Sequence, residues 1–195
     1  MPSSTRLLPK KLFKFKDYQS MPWKNGQGMT SQIALQADPD QPEAAFLWRL
    51  GMATVSQDNS FSLFPGLQRL LVVWKGQGLW LNEYLLKPFL GFSFSGDWPV
   101  HCRLVGDEVI DLGLIYNPLK IKAQMSELVL DKKHHLINLE EGLYFLFAAE
   151  NDFFIKDILV TEADTIQIEG PGEVELTWAG DLQVRLLLFH LQNKG

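Results

Sequence analysis

The chain has 195 residues, 46% hydrophobic and 12% aromatic, with 13 phenylalanines. That length can bury a full core, and the aromatic richness favours a β architecture over a helical bundle. The formal net charge of −5, from 18 basic against 23 acidic residues, argues against nucleic acid or anionic membrane as the main partner, since both need a basic field.

In chain order, the first segment is a basic arm, MPSSTRLLPKKLFKFK, with Leu12, Phe13 and Phe15 as candidate anchors and no apolar secretory region. No later run approaches the roughly 18 apolar residues of a spanning helix. Cys102 has no second cysteine to pair with, so a cytoplasmic location is expected. Met21 to Thr30, MPWKNGQGMT, carries Pro, Asn-Gly and Gly-x-Gly, which predicts a tight turn with free backbone amides. A strand follows, with Ile33 and Leu35 alternating with Gln32, Ala34 and Gln36, and then a loop from Asp38 to Glu43.

Two strand patterns flank a Phe-, Ser- and Gly-rich corner within Trp48 to Leu81, WRLGMATVSQDNSFSLFPGLQRLLVVWKGQGLWL. Arg49 shares its face with Leu47, Gly51 and Ala53, and Arg69 shares its own with Leu67, Leu71 and Val73. Each guanidinium is thus placed on an apolar or small-residue face. A buried arginine cannot shed its proton, so either a protein carboxylate or a bound acid should meet it. Leu67 to Trp74, apolar on both faces apart from Gln68 and Arg69, reads as a central strand. Phe92 to Leu104 reads as two strands about a Gly-Asp turn, and Val109 to Tyr116 as one more. No helical periodicity is sustained over three turns.

The second half echoes the first at an offset of 74 positions, the separation of Gly96 from Gly170. Phe92 and Phe94 meet Ile166 and Ile168, Leu79 to Leu81 meet Phe153 to Ile155, and Leu112 and Leu114 meet Leu186 and Leu188. This implies an internal duplication and an all-β pair of small barrels or jelly rolls.

The stretches MPWKNGQGMTSQIAL, WRLGMATVSQDNSFSLFPGLQRLLVVWKGQGLWL, FSFSGDWPVHCRL and DLGLIYN, in that order, resemble the HutD/Ves family of bacterial proteins over most of residues 21 to 117. The resemblance implies a double-barrel cupin (bicupin) with an N-terminal arm (1–20), a first cupin-like unit carrying the pocket (21–117) and a second unit (118–195). It also implies a non-catalytic role in histidine utilisation, sensing or buffering an intermediate such as N-formylglutamate. By motif match, Arg69 follows F-P-G and would hold the ligand carboxylate or formyl group, and Arg49 is the W-R arginine. Trp23, Asn25, Gly26 and Thr30 match the W-K-N-G-x-G-x-T loop. Gln27 stands where the family usually has Gly, and Gly113 where it often has Asn.

The remaining chemistry favours binding over catalysis. Metal-dependent cupins hold their ion with an H-x-H pair, a Glu and a later His, but none of His101, His134, His135 and His190 stands two residues from another. No metal or cofactor is therefore expected. His134-His135 is expected in an exposed loop, and Cys102 as a small core hydrophobe beside Val100 and Leu104. His101 should face outward. The expected ligand is a small anion on Arg69 and Arg49, with Trp23, Phe61 and Phe94 as walls and Ser62 and Thr30 as hydroxyl contacts. The readings that compete are a cupin isomerase using His101 and Asp97, a metal-dependent enzyme on a small organic acid, and a structural stress-response module without ligand. Exposed edge strands favour a homodimer.

Overall fold

The computed structural model describes residues 6–23, 28–40 and 46–194. Two compact units are formed. One comprises Tyr18–Lys122 with Lys194, and the other Ala123–Asn193 with the N-terminal segment through Asp17. Among the described residues there is no α-helix, only one short 3₁₀ turn, Phe15–Asp17, and so no helix long and apolar enough to cross a membrane.

The N-terminal segment contributes β1 (Lys11–Phe13). The unit that holds the arginines follows with β2 (Gln19–Pro22), β3 (Met29–Ala37), β4 (Phe46–Val55), β5 (Asn59–Ser60), β6 (Gln68–Lys75), β7 (Leu79–Leu81), β8 (Tyr84–Leu86), β9 (Gly91–Ser95), β10 (His101–Leu104) and β11 (Val109–Tyr116). Six of these make one antiparallel sheet in the order β2-β3-β4-β11-β6-β9, and four make a second, β5-β10-β7-β8. β6 is interior to its sheet and buried from Leu70 to Trp74, as its two-faced apolar pattern requires. The core of this unit gathers Val55, Leu71, Val73, Leu79, Leu86, Phe94 and Val109. Cys102 sits among them, fully buried, and burial pushes its thiol up to about 12, so it packs as a hydrophobe.

The second unit holds β12 (Ile121–Leu130), β13 (His134–Glu150), β14 (Phe153–Ile155), β15 (Ile158–Val160), β16 (Thr165–Thr177) and β17 (Val184–Asn193). They run β12-β17-β13-β16-β14-β15, and β1 adds to β16 through Lys11↔Gln167 and Phe13↔Thr165. Leu12 packs on the core of this unit and Phe13 lies 6.3 Å from the Phe145 ring, whereas Phe15 stays exposed. The arm's own residues suggest an anchor, but its partner strand, reached through Leu12↔Ile166, is far along the chain and invisible locally.

Two expectations need correction. His134 and His135 open β13 as strand residues, paired with Thr177 and Leu176, and exposed His134 contacts Glu175, whose carboxyl this contact holds below its ordinary range. The alternation expected in β3 is broken by a bulge between Gln32 and Ala34; Ile33 and Ala34 are both buried while Leu35 is exposed, because a bulge shifts every later side chain to the other face.

Candidate functional site

The site is built on one face of the six-stranded sheet. Cross-strand partners share a face, so the register Leu35↔Arg49↔Ile115↔Arg69↔Phe94 puts both arginines in a single row, with only Ile115 between them. Two strand spacings set their Cα atoms about 10 Å apart. Further along the same face run the rows Gln32-Gly51-Gly113-Leu71 and Thr30-Ala53-Asp111-Val73. Two glycines in the middle row leave a hollow between the arginines and Asp111. A second bulge, between Ile110 and Asp111 against β6, lies at its edge.

That hollow opens into a cavity of about 140 Å³ whose lining includes Trp23, Thr30, Arg49, Phe61, Ser62, Phe64, Arg69 and Asp111. A recess of about 50 Å³ shares Arg49, Arg69 and Asp111 and reaches Gly51 and Gly113. An engineered cavity of about 150 Å³ accepts benzene, so a small organic acid is of the right size.

Both guanidiniums are caged by rings. Arg69 lies 4.7 Å from the Phe61 centroid, 5.1 Å from Phe94 and 5.5 Å from Phe64, and donates through Nη1 to the Ser62 carbonyl at 3.3 Å. Arg49 lies 5.1 Å from Phe46 and 5.4 Å from Phe64. Phe64 therefore touches both cations, with each contact contributing on the order of 0.5–2 kcal/mol. Burial draws Arg69 down to about 10, with Asp111 opposing and Arg49 adding to the fall; burial lowers Arg49 as well. Both remain cationic at neutral pH. Among the described residues neither has a carboxylate within ion-pairing distance.

Of the residues singled out from the sequence, Trp23, Thr30, Arg49, Phe61, Ser62 and Arg69 border this cavity. Phe94, 2% exposed, stands behind Arg69. Trp23 Nε1 donates to Thr30 Oγ1 at 2.8 Å, and the indole lies so close over Gly28 that a Cβ there would stand 2.8 Å from the ring. Asn25 and Gly26 lie outside the described residues. His101 is exposed, 3.5 Å through Nδ1 from Ser60 Oγ, while Asp97 accepts from Gly66 N–H and Ser95 Oγ. Among the described residues no three His, Cys, Asp or Glu side chains converge as a metal site.

Asp111 is the residue that sequence reasoning missed. It is 4% exposed, and burial raises it to about 7 while the Arg69 charge pulls the other way. The signal lay in DLGLIYN, where an acidic residue shares a strand face with Gly113 and Ile115, the same pattern that flags the arginines. A carboxyl raised in the native state is still protonated where the unfolded chain has already ionised, so the contribution of this one group to stability is greatest below about pH 4 and is lost as pH climbs to about 7. In urea titrations the wild type should lose a few kcal/mol of this contribution between pH 5 and pH 8; Asp111→Asn should lose it at neither pH, and an equal slope in both proteins would refute this assignment.

Gly113 offers a second check. A Cβ there would meet only Leu71 Cδ1, at 3.6 Å, an ordinary contact. Gly113→Ala should raise stability by about 0.5–1 kcal/mol through lost chain entropy while narrowing the recess between Arg69 and Asp111. Chemical denaturation that shows a loss instead would mean the strand cannot accept a side chain at this position.

The HutD family model matches residues 15–186. A 21.2 kDa protein in the hutC 3′ region of Pseudomonas putida is 38% identical over 119 residues, which is 58% of this chain and 62% of that one, less than two thirds of its length. Protein Ves of Citrobacter koseri is 28% identical over 141 residues, covering 68% of this chain and 71% of its own. The structure of HutD from Pseudomonas fluorescens SBW25, in a formate condition, is 27% identical with a TM-score of 0.79, over 95% of this chain and 99% of that one. With a match spanning most of its length, the chain belongs to the HutD family.

Proposed function

We propose that this protein is a metal-free double-barrel cupin that binds a small carboxylate in the Arg69 cavity and thereby regulates or buffers histidine utilisation in the cytoplasm. The ligand is an intermediate of the N-formylglutamate kind. One observation carries the reading: two guanidiniums line a cavity with no carboxylate in ion-pairing reach among the described residues. An uncompensated buried charge is expensive, and an incoming acid is what would compensate it. The link to histidine utilisation rests on family membership, and the small-acid ligand on the cavity itself.

The bicupin part of the proposal is supported by local geometry repeated at the same offset. The hairpin of β7 and β8 recurs as β14 and β15, with Leu79↔Leu86 answered by Phe153↔Val160. Its turn residues Asn82 and Lys156 have φ of 53° and 54°, and Phe89 and Ala163 have φ of 62° and 70°. Non-glycine residues with positive φ are uncommon, so two pairs in matching positions favour common ancestry. The core of the second unit gathers Leu146, Phe153, Ile155, Ile166, Val174 and Leu186.

The test is ligand-induced stabilisation. Formate, urocanate and N-formylglutamate should each raise the Tm in proportion to ln[ligand] above its Kd, and the neutral diamide of N-formylglutamate should not. Stabilisation by the diamide equal to that by the acid, or by no acid at all, would overturn the reading.

A further inference from the structure

Asp111 is unlike the other buried carboxylates. Asp38 is held by Lys120 and by the Asp40 N–H, and Asp164 by Lys14, the Phe15 N–H and Thr161. Asp111 is as buried as these, lines both the cavity and its recess, and among the described residues makes no hydrogen bond or ion pair. Among the described residues the charge acting on it is that of Arg69, across the glycine floor. A buried carboxyl left without donors loses its hydration for nothing in return, unless the donor arrives with the ligand.

The charges point the same way. Among the described residues lining the cavity, two guanidiniums face one carboxylate, a balance that a single further negative charge would complete. That charge belongs against Arg69 and Arg49, where rings and the Ser62 carbonyl leave guanidinium donors open. The other end of the same molecule then meets Asp111, an acceptor. We propose that Asp111 forms a second subsite of this cavity, which accepts an N–H donor from the ligand whose carboxylate lies on the arginines. The preferred ligand is then a small acid bearing an amide or ammonium N–H, in preference to a simple carboxylate. This rests on the anion-binding reading above and adds to it a determinant of selectivity. A polar site built for a donor rejects the analogue that lacks it more strongly than an apolar wall rejects a missing methylene, because the buried acceptor is stranded.

The test compares matched acids by calorimetry at pH 8, where Asp111 is ionised: N-acetylglycine, its N-methylated analogue N-acetylsarcosine, 4-aminobutyrate and butyrate. The wild type should bind N-acetylglycine roughly ten- to a hundredfold more tightly than N-acetylsarcosine, and 4-aminobutyrate more tightly than butyrate. Whichever N–H ligand shows the larger gap identifies the donor as amide or ammonium. In Asp111→Leu both preferences should fall to within about threefold while butyrate binds at least as well as before. Asp111→Asn, which keeps an acceptor but not the charge, should retain the amide preference and lose the ammonium one. Indifference of the wild type to the N–H in both pairs would overturn this inference and leave acid binding standing, and it needs no variant to fold. Failure of every acid to bind would overturn the anion-binding reading itself.

Discussion

Arg69→Met is expected to weaken binding of any small acid by at least about thirtyfold, the loss that follows from removing one partner of a desolvated charge pair. The same substitution should leave the Tm of the ligand-free protein within a few degrees of wild type. The guanidinium has three rings and one carbonyl around it but no carboxylate, and burial lowers its proton affinity, so the fold gains little from its charge. A methionine keeps the apolar stem and most of the ring contact without that desolvated charge. Arg49→Met should weaken the acid less, since Arg49 sits two row positions farther from Phe94 and, among the described residues, its guanidinium meets only the rings of Phe46 and Phe64. The opposite pattern, a large loss of stability with acid binding intact, would make Arg69 a structural brace.

Gly96→Val is expected to cost about 3 kcal/mol or more and to abolish acid binding along with it. The Gly96 N–H donates to the Leu67 carbonyl at 2.7 Å, and its own carbonyl accepts from Phe64 N–H at 2.9 Å. This clasp fixes the corner from Phe64 to Leu67 that sets both the ring between the arginines and the start of the Arg69 strand. A Cβ on Gly96 would collide with the Phe64 carbonyl and stand 2.9 Å from the Leu67 carbonyl. Both obstacles are backbone, so neither can swing aside. Gly66, in the same corner, is the control. Its φ is 74° and nothing lies within 4 Å of its would-be Cβ, so Gly66→Asn should cost less than about 1 kcal/mol, asparagine tolerating left-handed backbone. Equal losses in the two variants, measured by urea unfolding, would show that conformation rather than crowding governs this corner.

The contrast between these glycines also shows what could be read from the chain. Turn chemistry and period-2 alternation place β6 and β11 to within a residue and set β4, β9 and β10 in their neighbourhoods, because hairpins between near neighbours are written in local residues. The two arginines were legible for the same reason, as charges at even spacing in apolar strands. Features set by distant pairing were not. The partner of β1 lies some 150 positions on, and the bulges at Ile33 and beside Asp111 arise from mismatch with a facing strand that no single strand encodes. Asp111, at even spacing from Gly113 and Ile115, carries the same signal as Arg49 and Arg69, but its lack of a donor depends on facing strands that DLGLIYN does not encode. By sequence Phe64 is only one residue of the Phe-rich corner ahead of Arg69; the fold shows that its ring sits against both guanidiniums.

The most direct test of the account is a crystal structure of the protein grown with N-formylglutamate. A carboxylate is expected within hydrogen-bond distance of the Arg69 guanidinium, inside the cavity walled by Phe61 and Phe64. A guanidinium still bound only to the Ser62 carbonyl and its rings, with the acid absent from the cavity at saturating concentration, would contradict it.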